Sequence, residues 1–199
     1  MKVLFIAYPA LFKCQTKFDR KVSKIISRMM DYKVVYADDP NSYIERHFES
    51  AGIQLEKIDD PLDRKITHAI IFDDGEEFAE ILPGLEEKGV VYRLIHIRIT
   101  RVVNIKRETK YKGIKSTDDY EYIGRGSYWG NPYAIGEDGD DRAEVIRKFK
   151  YDFDYEKFPT KERSEVFKLA GKRLGCFCKP EACHGDVLAD FLNSYDDGQ

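Results

Sequence analysis

Near the carboxyl end, Cys176, Cys178, Cys183 and His184 fall within nine residues. Together they offer three soft sulfurs and one imidazole, a set that zinc takes tetrahedrally. Cys-x-Cys is tighter than the common Cys-x2-Cys, and neighbours such as Cys183 and His184 point apart on a strand. A turn running into a helix would bring both inward. The same residues support a second chemistry. Cys183 stands just ahead of a helix expected to begin near Asp186, and a helix amino terminus favours thiolate. His184 would then serve as base or acid with Asp186 as its orienter, an activated nucleophile built from Cys183, His184 and Asp186. The third reading is packing, because free cysteine is commonly buried as a small hydrophobe and the three residues could simply cap the last helix. Cys14, alone after the first expected strand, reads as a buried or loop thiol without a role.

A second segment precedes this one. Residues 122–133 read YIGRGSYWGNPY, with Gly124, Arg125, Gly126, Ser127, the single tryptophan Trp129, Gly130 and Asn131. Glycines permit positive φ and close approach of backbone N–H groups to a ligand. Amides so arranged cradle an anion, and Arg125 can add a bidentate contact to phosphate or carboxylate. Tyr128, Trp129 and Tyr133 offer flat surfaces for a base or sugar, and Asn131 a polar edge. The competing reading is a tight turn packed on the core, with Trp129 buried and Arg125 paired to an acid such as Asp186. The spacing is neither the dinucleotide fingerprint nor a Walker loop.

The elements that must carry these segments follow from the apolar pattern. Residues 2–8 (KVLFIAY), 33–37 (KVVYA), 66–72 (ITHAIIF) and 90–99 are continuous apolar runs, as expected of strands buried on both faces. A short strand is expected at 53–58. Helical spacing occupies 18–30, 43–50 and the stretch between Gly75 and Glu87. This alternation predicts an α/β domain over residues 1–99, Rossmann-like, with a doubly wound, mostly parallel sheet. Residues 101–122 are polar, lack a period beyond 102–105, and read as a connector. Helices are then expected at 141–150, with Asp140 or Asp141 as cap, at 160–169 and at 186–192, with a strand at 174–178. They form a smaller α+β domain over residues 100–199 that holds the glycine loop and the Cys/His cluster. Asp38, Asp39, Asp73 and Asp74 sit at strand ends, where they could meet a ribose or a cation; solvated turns are the simpler account. Residues 195–199 read as a disordered tail.

Bulk properties exclude several classes. The 199 residues carry a net charge of −3, against the basic balance usual for duplex-DNA binding. Lys106, Arg107, Lys110, Lys112 and Lys115 still leave a local nucleic-acid patch open. No apolar run approaches the ~18 residues of a membrane span, and the apolar start lacks a signal-peptide cleavage site. Clustered cysteines in such a chain fit the cytoplasm better than a disulfide framework. For a viral protein that means the host cytoplasm.

The paired segments IGRG…WGNP and LGC-x-CKP…CHGD, here at residues 123–132 and 174–186, resemble an uncharacterised domain family of bacteria, phages and other viruses. The resemblance covers residues 100–195 and implies that both segments build one site. The expected function is therefore binding of a small nucleotide-type ligand, with enzymatic action on a nucleotide or nucleotide sugar by glycosidic or phosphoryl chemistry. The alternative is a zinc-stapled binding module that sequesters such a ligand, or binds a protein or nucleic acid, without catalysis.

Overall fold

The structure, a computed structural model, describes residues 1–136 and 139–198. The chain forms two compact units, residues 1–97 with the chain from Ser194 onward, and Arg98–Asn193. Gln199, the last residue of the expected tail, lies outside the described residues.

The first unit is α/β. Strands β1 (Lys2–Ala7), β2 (Tyr32–Tyr36), β3 (Leu55–Lys57), β4 (His68–Asp73) and β5 (Val91–His96) form one sheet, ordered β3-β2-β1-β4-β5. Every pairing is parallel. β1 shows why its sequence is continuously apolar. Phe5 and Ala7 join a core with Val35, Ala69, Ile71 and Leu85, while Leu4 and Ile6, on the alternate positions, are equally buried. Helices α1 (Gln15–Ile26), α2 (Tyr43–Phe48) and α3 (Ile81–Glu87) join the strands. Phe18 of α1 stacks on Phe72 at 5.1 Å. Of the four carboxylates at strand ends, Asp38 pairs with Lys57 and the other three serve the backbone. Asp39 accepts from the Ile44 and Glu45 amides, Asp73 from Gly75, and Asp74 from Glu76 and Glu77. Cys14 is buried just before α1. The expected disordered tail is instead tied down: Asp196 takes a two-pronged bond from Arg20, and Asp197 pairs with Lys17.

The second unit holds a three-stranded sheet, ordered β6-β8-β7, from β6 (Arg101–Asn104), β7 (Tyr120–Tyr122) and β8 (Arg173–Cys176), again all parallel. The stretch read as a connector thus supplies two strands. Helix α4 (Arg142–Asp154) is capped by Asp141, whose side chain accepts from the Glu144 amide at 2.8 Å. Residues 163–169, expected as an α-helix, form 3-10 turns (Arg163–Leu169). Helix α5 (His184–Ser194) begins two residues earlier than its expected start. Ile123, Trp129, Phe149, Phe153, Leu174, Cys176, Cys183 and Leu188 share one core.

Candidate functional site

Parallel pairing decides where the two motifs meet. Tyr122 at the end of β7 pairs with Gly175, and Asn104 at the end of β6 pairs with Cys176. All three strands therefore end at one edge of the sheet. The glycine loop leaves β7 there, and Cys178 follows β8 there, as ligand sites of parallel sheets form beyond the carboxyl ends of strands. Gly175 can only be glycine, since a Cβ would lie 2.1 Å from the hydroxyl oxygen of the fully buried Tyr120. A Cβ on Gly185 would lie 2.4 Å from the Ile123 side chain, so the first turn of α5 can press against the start of the loop.

The sulfurs of Cys176, Cys178 and Cys183 all lie within 4.8 Å of one another, and those of Cys176 and Cys178 are 3.3 Å apart. Thiolates about 2.3 Å from a tetrahedral ion stand about 3.8 Å apart, so the three cysteines can hold a metal ion. Their protonation is unequal. A hydrogen bond from Cys183 pulls the Cys176 thiol below its ordinary range, against burial. The same bond, with burial, pushes Cys183 up, and burial raises Cys178. Cys176 is thus the most readily ionised of the three thiols.

His184 borders this set without joining it. Its Nε2 lies 3.0 Å from the Ile123 carbonyl, which can only accept, so the proton is on Nε2. Nδ1 faces the Cys183 sulfur at 3.6 Å. Burial lowers its pKa, so the ring stays neutral at neutral pH. Asp186 does not orient His184, as the nucleophile reading required. One carboxylate oxygen accepts from the Cys183 amide at 2.9 Å and the other pairs with Lys179 at 2.7 Å. The Ile123 carbonyl holds the ring instead.

The loop is more self-contained than its glycines suggested. Only Gly126 uses positive φ, at 81°. Gly124 and Gly130 are demanded by space: a Cβ on the first would lie 2.2 Å from the Tyr122 hydroxyl, and on the second 2.7 Å from the Gly124 carbonyl. The Ser127 amide and hydroxyl both donate to the Gly124 carbonyl, and the Gly130 amide donates to Ser127. Those amides are spent inside the loop. Trp129 is 4% exposed and belongs to the core, so its indole follows the packed reading. Asn131 clamps the loop to α4 through the Val145 carbonyl. Arg125, in contrast, is exposed, and Asp186 is not its partner.

A pocket of about 190 Å³ joins the two motifs. Gly124, Arg125, Asn131 and Tyr133 line one side, and Cys176, Cys178, Cys183 and His184 another, with Val145 and Ile146 as apolar wall. Tyr133 donates to Asp152 at 2.6 Å, and that bond lifts its pKa to about 12, so it is no base at neutral pH. Arg142, unnoticed in the sequence, also lines the pocket and donates to the Ala182 carbonyl at 3.2 Å. One signal could have revealed it: a cation in the first turn of a helix runs against the macrodipole.

Residues 1–103 match the family described as Minimal SLOG domain, and residues 101–194 match a Domain of unknown function (DUF4326). The chain is 39% identical over 99 residues to the "Uncharacterized 12.4 kDa protein in nrdA-td intergenic region" of Enterobacteria phage T4, a span covering 48% of this chain and 80% of that protein. No solved structure matches. The parallel sheet of the first unit and the match over its whole extent agree: the chain belongs to the minimal SLOG domain family.

Proposed function

We propose that the chain binds a nucleotide or nucleotide sugar in the pocket beside the glycine loop and acts on it as an enzyme, with zinc held by Cys176, Cys178 and Cys183. The observation that carries this reading is the shared lining, Arg125 and Asn131 on one side and the three sulfurs on another. The match to the nucleotide-related SLOG type supports it. At about 190 Å³ the pocket is smaller than the ~300 Å³ lower bound of sites that enclose a whole drug-sized ligand. It suits one part of a nucleotide, its phosphate or its base. No helix among the described residues is long and apolar enough to cross a membrane. The reading puts the protein in the cytoplasm, that of the host for a phage carrier.

A second reading is a zinc-stapled binding module. It is favoured by the lining itself, which among the described residues includes no carboxylate to act as general base, and by the engagement of Asp186 elsewhere. Native and denaturing mass spectrometry of the purified chain separates the readings when paired with thermal shift across a nucleotide panel. A co-purifying nucleotide that is converted on incubation supports the enzyme. A nucleotide bound but unchanged supports the module. Neither metal nor nucleotide would sink both.

A further inference from the structure

We infer that a metal held by Cys176, Cys178 and Cys183 keeps its fourth coordination position open to the pocket, where it takes an oxygen of a phosphate-type anion flanked by Arg125 and Arg142. This rests on the reading of the three sulfurs as a metal site, and it decides what kind of metal site they make.

Closed zinc sites take four protein ligands, whereas sites that handle a substrate keep three and an open position. Here the fourth protein ligand is missing among the described residues. His184 is the obvious candidate, yet neither ring nitrogen falls within the 4.8 Å set. Its Nδ1 lies 3.6 Å from the Cys183 sulfur but not within 4.8 Å of all three, and its ring packs edge-on against Phe149 at 4.9 Å. Asp186 spends its carboxylate oxygens on the Cys183 amide and Lys179. Among the described residues no carboxylate lines the pocket. What does line it, beside the sulfurs, is two guanidinium groups, Arg125 and Arg142. Arg142 is anchored by the Ala182 carbonyl, in the turn that carries Cys183. A divalent ion with three thiolates carries one net negative charge, and an anion entering its coordination sphere needs cations beside it. Two arginines meet that need, and the planar fork suits phosphate oxygens. The class of ligand is therefore a phosphate group, whether free or at the end of a nucleotide.

The test uses the full chain loaded with cobalt(II), whose visible bands and thiolate charge-transfer bands report the coordination sphere. Inorganic phosphate, titrated against a chloride control of equal ionic strength, is expected to shift the visible bands saturably. Arg125→Ala and Arg142→Ala are each expected to raise the half-saturation concentration about tenfold or more, as loss of a charge-assisted bond does. In His184→Asn the charge-transfer bands are expected to persist. A thiolate–cobalt spectrum that phosphate leaves unchanged would overturn the inference while the metal site stands. So would loss of cobalt from a His184→Asn chain that remains folded by circular dichroism, since the site would then be closed. Failure of the native chain to bind cobalt at all overturns the inference and the metal reading together. Nucleotide binding, read separately by the thermal-shift panel, can fail without touching either.

Discussion

Gly130 tolerates nothing larger, because the atom that a side chain would strike is the Gly124 backbone carbonyl, which cannot swing aside. Gly130→Ala is expected to cost about 1–3 kcal/mol, the range of overpacking, by chemical denaturation. A Gly126→Ala change meets no atom within 4 Å but forces a side chain into positive φ, so its smaller loss has a different origin. The sequence displayed these glycines but not their separate reasons, since a residue type records permission and not which neighbour demands it. Trp129 was ambiguous for the same reason. Its burial predicts a loss of about 3–5 kcal/mol in Trp129→Ala, measured in the same way. The thiol cluster was legible because three cysteines so close in sequence stay close in space. Arg142 was not, because nothing in its neighbours links it to a turn forty residues away.

At the scale of elements, legibility follows burial. The runs that became β1, β2 and β4 are covered on both faces, so their apolar continuity was plain. β6 and β7 are short and half-buried, and their strand character comes from pairing with β8, which no local pattern encodes. The 3-10 turns at Arg163–Leu169 bury Val166 and Leu169, a three-residue spacing that a helical pattern shares. In α5, Asp186 holds the Cys183 amide across the first turn. Asp186→Ala is expected to lower stability by about 1 kcal/mol through that lost bond, as removal of a cap does, and not to act through His184. The segment after α5 carries a pH dependence. Hydrogen bonds from Arg20, the Gly198 amide and Thr16 hold the Asp196 carboxyl below the usual carboxylate range. A depressed folded-state pKa stabilises above the unfolded value, near 3.9, and that contribution is lost as pH falls through the folded one. Thermal unfolding followed from pH 7 to pH 2 should show Asp196→Asn destabilised by a constant amount above about pH 4 and approaching the parent only below it.

Over the whole molecule, the metal ligands and their core belong to one unit only, Arg98–Asn193. If the cysteines hold zinc, a strong chelator should lower one calorimetric transition and leave the other in place; a common shift of both would contradict that independence. The first unit has its own peculiarity, because it is discontinuous in sequence. Arg20 and Thr16 find Asp196 only after some 180 intervening residues, the second unit included. During vectorial synthesis, then, the sheet of the first unit leaves the ribosome long before its closing clasp, with the whole of the second unit translated in between. A nascent chain stalled after residue 193 would display strands already paired before Asp196 exists to close them, so translation itself sets the order in which this fold is sealed.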